Sequence, residues 1–167
     1  REERSASAVA EPYRQFLYRW QEEYIYEMLR LGREVTPFHT LEHIAGVHHV
    51  AMTVSRAFSA GGGLIDLALV SAAAAGHDLG KFGCKPGERV PYLHYYYTDQ
   101  WFTQRQLNIL GHIAANHSVW DLEIENLSSE SLVLVYADFR VKQERDSSGR
   151  ERTHIYTLAQ SYDVILS

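Results

Sequence analysis

A run of small and apolar residues at positions 67–75, LALVSAAAA, limits how this chain can fold. The run is too short to cross a bilayer, which takes about 20 consecutive apolar residues. A helix that is apolar on every side is stable only when other elements cover it. The run therefore predicts a buried helix, which we expect to extend over about 64–76.

His77 and Asp78 follow this helix directly, within the segment AAAAGHDLGKFG. A carboxylate beside a buried helix needs a partner for its charge, and a metal ion is one such partner. A His-Asp pair alone is common and says little. Its meaning depends on whether other histidines and carboxylates point to the same place.

Apolar residues recur at helical spacing along most of the chain, which predicts an all-α protein. Pro12 and the Thr36-Pro37 pair fit the starts of two helices. Segment 81–92 has the composition of a loop, and an exposed turn at 145–150 could join two short strands. The predicted helices cover 12–31, 36–58, 64–76, 103–116 and a stretch that begins at Ser129, and the predicted strands cover 139–143 and 153–156.

Helical geometry sorts the histidines by direction, because each residue advances about 100° around the axis. His43 shares the apolar face of its helix with Val47 and Val50, so it is predicted to point inward. His48 and His49 lie about 120–140° away from His43 and are predicted to be solvated. A single inward histidine is more often a core residue bonded to a carbonyl than a metal ligand.

The same geometry separates the two histidines at the end of the helix predicted over 103–116. His117 shares a face with Leu110 and is the candidate ligand, whereas His112 lies about 140° away and is predicted to be at the surface. His94 stands in the tyrosine-rich segment YLHYYY, where periodicity predicts no direction for its side chain.

Asp138 follows the apolar run LVLVYA at the end of a predicted buried helix. It is either an ion-paired residue, for which Arg140 and Lys142 are at hand, or a further metal ligand. Imidazole and carboxylate donors from separate helices, without thiolates, suit Fe, Mn, Zn or Co. Taken together, the inward histidines and aspartates predict a shared metal site.

Three segments, FHTLEHIAGV, HDLGK and YADFR, resemble motifs of the HD-domain superfamily of metal-dependent phosphohydrolases. The resemblance covers 38–138. It implies a single all-α domain, an HD-domain, phosphodiesterase-like helical bundle with a small C-terminal β-hairpin. The implied parts are an N-terminal helix at 1–35, a metal-site core at 36–138, and a truncated C-terminal turn and helix at 139–167.

The resemblance also implies roles for individual residues. Asp78 would bridge two metals, and His39 matches the acid position of the cyclic-nucleotide phosphodiesterase branch. Lys81 matches the lysine that contacts a phosphate. Arg140 is a further candidate substrate contact on chemical grounds alone, because a guanidinium can donate to a phosphate oxygen. No GYP triplet follows His117, which argues against the cyclic-di-GMP branch. The implied metal ligands are His43, His77, Asp78, His94, His117 and Asp138, and the implied catalytic residues are His39, Asp78 and Lys81.

The activity that the resemblance implies is hydrolysis of a small phosphoester, a nucleotide or a cyclic nucleotide, by a metal-activated water. The implied cofactor is a pair of divalent transition ions, Fe or Mn, with Zn, Co, Ni or Mg as alternatives. Two other functions stay open: an HD-type di-iron oxygenase that uses O₂ has the same ligands, and a regulatory module could bind metal without catalysis. A mononuclear site is also open, with His94 and His117 as substrate contacts.

Composition narrows the class of partner. The 167 residues carry a formal net charge of −5, which argues against a nucleic-acid coat and leaves a small phosphorylated substrate as the expected partner. The single cysteine, Cys84, allows no internal disulfide and suits a reducing compartment, so we expect a cytoplasmic protein without a membrane segment. The chain starts without methionine, so we expect it to be part of a longer protein.

Overall fold

The structure, a computed structural model, describes residues 40–85, 87–118 and 127–166, and most of these are helical. The helices are α1 (Thr40–Ala60), α2 (Leu67–Gly76), α3 (Val90–Thr103), α4 (Asn108–Ala115), α5 (Ser129–Arg140) and α6 (Leu158–Leu166). Two 3₁₀ helices, Leu79–Phe82 and Asn116–Ser118, follow α2 and α4. Strands β1 (Val141–Arg145) and β2 (Glu151–Ile155) form an antiparallel hairpin. The prediction of a mostly helical protein with one small hairpin is confirmed.

Helix α2 lies at the centre of the described residues. Val70 and the alanines at 72–74 are fully buried, and α2 packs against α1, α4 and α5. The side chain of Asp66 caps the helix by accepting hydrogen bonds from backbone N–H groups of its first turn. Because of this cap the helix begins at Leu67, so the predicted start near 64 is wrong.

The core continues from α2 into α3, α4 and α5. Phe102, Leu110 and Leu134 are each at most 1% exposed. Burying a large apolar side chain of this kind stabilises the fold by about 1.5–3 kcal/mol. Among the described residues, no helix combines the length and the apolar character that a bilayer crossing requires.

Helix α1 is covered over a wider arc than its single apolar stripe suggests. His48 is half-buried, and its Nε2 lies 2.9 Å from Ser71 Oγ of α2. The prediction that His48 is solvated is therefore wrong, because α2 packs along that side of α1, whereas His49 is exposed as predicted. The predicted start of this helix at 36–37 and the predicted helix at 12–31 lie outside the described residues.

The chain between α2 and α4 differs from its prediction at two places. Pro91 occupies the first turn of α3, where proline needs no backbone N–H, so the predicted loop at 81–92 ends early and His94 lies on a helix. The helix predicted over 103–116 starts later than predicted, because Gln106 has a φ of 61° and interrupts the helical path. Helix α3 ends at Thr103 and α4 begins only at Asn108.

The hairpin is attached to the end of α5. Its strands begin and end a few residues away from their predicted bounds, because α5 continues to Arg140 before β1 starts. The Arg140 guanidinium donates hydrogen bonds to the Tyr156 carbonyl and the Tyr136 hydroxyl. A Cβ on Gly46 of α1 would lie only 2.9 Å from Val141 Cγ1, so the hairpin packs tightly against α1. These contacts fix β1 beside the last turn of α5.

Candidate metal centre

The chain turns sharply at Asp78, directly after α2. His77 still has helical backbone angles, but Asp78 has φ −97° and ψ 6° and leads into the 3₁₀ helix Leu79–Phe82. On a continuing α-helix, neighbouring side chains diverge by about 100°. Here the turn brings His77 Nε2 to 3.7 Å from Asp78 Oδ2, with both side chains at most 1% exposed. Both residues therefore face one point.

Helix α3 holds this turn in place through close contacts that only glycine permits. A Cβ on Gly80 would lie 1.7 Å from the His94 carbonyl oxygen, so a larger residue has no room there. Buried Thr98 donates a hydrogen bond from Oγ1 to the His77 carbonyl (2.9 Å) and accepts one from the Gly80 N–H (2.9 Å). The His-Asp turn and His94 are thus positioned by the same pair of elements.

A first group of donor atoms combines residues of α1 and α5 with His77, which directly follows α2. His43 Nε2 of α1 lies 2.9 Å from Asp138 Oδ1 of α5 and 3.3 Å from His77 Nε2. His77 Nε2 lies 3.7 Å from the same Asp138 oxygen. Asp78 Oδ2 lies 3.6 Å from His43 Nε2, so a second carboxylate adjoins the group.

A second group of donor atoms lies on the other side of Asp78. His94 Nε2 of α3 and His117 Nε2 of the 3₁₀ helix after α4 are 3.0 Å apart. Asp78 Oδ1 lies 3.7 Å from His94 Nε2 and 3.8 Å from His117 Nε2. The two oxygens of one carboxylate thus face different histidine pairs. The spacing of α4 predicted the inward His117 and the exposed His112, and the structure has both.

Backbone carbonyls fix the tautomers of three of these histidines. The Nδ1 atoms of His77, His94 and His117 lie 2.8, 2.8 and 2.5 Å from the carbonyl oxygens of Ala74, Val90 and Ala114. A carbonyl only accepts, so each Nδ1 carries the hydrogen and each neutral ring presents the lone pair of its Nε2 to the centre. Two such lone pairs, on His94 and His117, face each other without a hydrogen between them. A shared cation would relieve their repulsion.

The spacing and chemistry of the donor atoms would allow them to hold a metal ion. Ligands about 2.1 Å from an ion in tetrahedral or octahedral geometry lie about 3.0–3.4 Å from one another. The donor pairs described above are 2.9–3.8 Å apart, and the chemistry is imidazole plus carboxylate. Buried groups that could hold a metal ion are His43 with His77 and Asp138, and His77 with Asp78 and His117.

Electrostatics keeps both carboxylates ionised. Burial alone would raise the pKa of Asp78, but the neighbouring His77 and Lys81 hold that pKa far below its ordinary value. Burial opposes ionisation of Asp138 as well, and the adjacent imidazoles of His43 and His77 hold its pKa well below normal. Both side chains are therefore negatively charged at neutral pH, the form that binds a cation.

The histidines differ in their protonation. Burial lowers the pKa of His117 to about 4 and lowers the pKa of His94 as well. Burial also acts against a charge on His77, but the carboxylates of Asp78 and Asp138 outweigh it and raise the pKa of His77. The pair His94 and His117 is thus held in the neutral, metal-binding form.

A cleft of about 360 Å³ opens beside both groups of donors. Lys81, which the sequence singled out, lines it, and its Nζ donates a 2.6 Å hydrogen bond to Asp78 Oδ2. Arg140 does not line the cleft, because its guanidinium is bound to Tyr156 and Tyr136. His39 lies outside the described residues.

Two cleft residues, Lys142 and Gln143 of β1, were not among the predicted site residues. In the sequence Lys142 counted only as an ion-pair partner for Asp138. Lys142 follows Asp138 by only four residues, and this proximity in the sequence could have indicated that it lies near the site. Only the attachment of the hairpin beside α5 brings both side chains to the cleft.

Comparison of the chain with protein-family models, with curated proteins and with solved structures finds no match in any of the three. The geometry of the site therefore carries the functional proposal.

Proposed function

We propose that this chain is a metal-dependent phosphohydrolase of the HD-domain superfamily that hydrolyses a small phosphoester, a nucleotide or a cyclic nucleotide. The observation that carries the proposal is the position of the Asp78 carboxylate. One of its oxygens faces His43 and His77 and the other faces His94 and His117. A carboxylate between two imidazole pairs is suited to bridge two cations.

The residues that would hold the ions are the six donors of the two groups. His43, His77 and Asp138 would serve one ion, His94 and His117 the other, and Asp78 both. Bound divalent ions would supply a water of lowered pKa as nucleophile and positive charge for the phosphoryl oxygens. The neutral imidazoles of His94 and His117 and the ionised carboxylates of Asp78 and Asp138 favour such binding.

The chain's own residues supply the remaining functions. Lys81 is a cation at the wall of the cleft, and an ammonium group is a suitable donor to a phosphoryl oxygen. The cleft volume lies at the lower end of the range for small-molecule sites, which agrees with a small substrate. His39 as the acid that protonates the leaving oxygen stays a prediction, since it lies outside the described residues.

Metal-dependent release of phosphate or nucleotide tests the proposal. The chain is stripped with a chelator, loaded with Mn²⁺ or Fe²⁺, and assayed against a panel of phosphoesters. We expect turnover that His77→Ala and Asp78→Ala abolish, whereas His112→Ala, an exposed histidine of α4, retains it. Undiminished turnover in either site variant contradicts the proposal. O₂ consumption by the iron-loaded protein without phosphate release would instead identify an oxygenase.

A further inference from the structure

Lys142 brings a second cation to the cleft from an element that carries none of the candidate metal ligands. It lies on β1 and lines the cleft together with Lys81, which belongs to the 3₁₀ helix after α2. The backbone of β1 is fixed by the contacts of Arg140 and of Val141 with Gly46 described above. The backbone at Lys142 is therefore held in an anchored strand that forms part of the cleft wall.

The two lysines differ in how their charges are compensated. Lys81 is paired with Asp78 at 2.6 Å. The contact that the structure gives Lys142 Nζ is the Phe139 ring, at 5.5 Å from the ring centre, and no carboxylate in the described part of the chain lies within ion-pair distance of it. Glu144, on the same face of β1, lies 3.6 Å from His154 instead.

The balance of charge in the cleft leaves Lys142 available for a ligand. The charges of Asp78 and Asp138 balance those of Lys81 and Lys142, so a bound divalent ion would make the cleft positive. The candidate metal ligands and Lys81 lie at the centre where the phosphate would react. The cleft, at about 360 Å³, has room for more than a phosphate group. An anion on another part of the substrate would then meet Lys142.

We infer that Lys142 binds an anionic group on the leaving-group part of the substrate. The cleft thereby selects phosphoesters that carry a second negative charge, such as a nucleoside diphosphate or bisphosphate, over those with a neutral leaving group. This inference rests on the proposed function for the identity of the reacting group. Lys142 is a specificity residue and takes no part in the bond-breaking step.

Binding of two matched phosphonates tests the inference without requiring turnover. The probes are (4-carboxybenzyl)phosphonate and (4-carbamoylbenzyl)phosphonate, which differ in a carboxylate against a neutral amide, and calorimetry measures their affinity for the Mn²⁺-loaded chain. We expect the carboxylate to bind about tenfold more tightly, the size of one charge-assisted hydrogen bond at a partly exposed site. Lys142→Gln should abolish this preference, and Lys142→Arg should preserve it.

Lys85→Gln, an exposed lysine outside the cleft, is the control and should keep the preference. Equal binding of both probes to the wild type, no binding of either, or an unchanged preference in Lys142→Gln overturns the inference. Hydrolysis of 4-carbamoylphenyl phosphate by a chain that shows no carboxylate preference would leave the proposed function intact and refute the role of Lys142. A carboxylate preference without hydrolysis of any phosphoester would support the role of Lys142 and contradict the proposed function.

Discussion

His94 Nε2 and His117 Nε2 lie 3.0 Å apart, and both rings donate their Nδ1 hydrogen to a backbone carbonyl. The two nitrogens that face each other are therefore both acceptors. Such an arrangement is unfavourable without a positive charge between or beside the rings. The same centre holds two ionised aspartates, and a bound cation would balance their charge as well as separate the two imidazole lone pairs.

Metal removal should destabilise the fold. An ion at 100 to 1,000 times its dissociation constant stabilises the native state by about 2.7–4.1 kcal/mol. In a chain of this size that corresponds to a rise in melting temperature of about 5–15 °C. Scanning fluorimetry of chelator-treated protein, with and without added Mn²⁺, measures this shift. An identical melting temperature in both samples would count against a metal centre in the core.

His117→Ala should halve the metal content. The substitution removes one of the two imidazoles on the Oδ1 side of Asp78 and leaves the His43, His77 and Asp138 group untouched. We expect two ions per chain in the wild type and one in the variant, measured by plasma mass spectrometry after gel filtration. His112→Ala should keep both ions. One ion per chain in both wild type and His117→Ala would favour a mononuclear site, and two ions in both would contradict His117 as a ligand.

Thr98→Val should weaken both the fold and the metal site. The substitution keeps the shape of the side chain but leaves the Gly80 N–H and the His77 carbonyl without their buried partner. Each buried group that loses its partner costs about 1–3 kcal/mol, so the free energy of unfolding should fall by about 2–5 kcal/mol in urea denaturation. Thr53→Val, at an exposed threonine of α1, is the matched control. A loss no larger than that of the control would mean that Thr98 does not support the turn.

Acidification should weaken metal binding through His77. The carboxylates raise the pKa of His77 above the ordinary 6.5, so its proton competes with a metal already near neutrality. That protonation stabilises the metal-free fold below the unfolded pKa, and the effect is lost as the pH rises through the folded pKa. His117, with its pKa of about 4, stays unprotonated in the folded chain between about pH 5.5 and pH 8, so no proton on it competes with the metal there.

The metal-induced rise in melting temperature should therefore shrink as the pH falls from about 8 to about 5.5. Calorimetry in two buffers of different ionisation enthalpy would report proton release on metal binding at the lower pH. The aspartates do not change this result, since their lowered pKa values keep them ionised throughout that range. Metal affinity that is independent of pH would contradict the assignment of His77 as a ligand.

Helical periodicity predicted much of the site and missed the parts that depend on turns. The inward directions of His43 and His117 follow from apolar neighbours on the same helical face, which the sequence displays. His94 had no predicted direction, because Pro91 in a tyrosine-rich segment indicated a loop although proline also fits a first helical turn. Periodicity also misplaced His48, because one apolar stripe does not reveal that α2 covers a second side of α1.

Other features depend on tertiary packing alone. The two oxygens of the Asp78 carboxylate face different histidine pairs because of the backbone angles of this residue, and no residue pattern encodes those angles. The place of Lys142 in the cleft arises from the contacts that hold the hairpin against α1 and α5. The need for glycine at position 80 can be recognised only once α3 is known to lie against it.

Anomalous diffraction at the absorption edge of the bound metal tests the central claim most directly. We predict two ions, one on each side of the Asp78 carboxylate. The first should contact His43, His77 and Asp138, and the second His94 and His117. Crystals of metal-loaded protein with no ion between these side chains, or with the ions bound elsewhere in the chain, would contradict the claim.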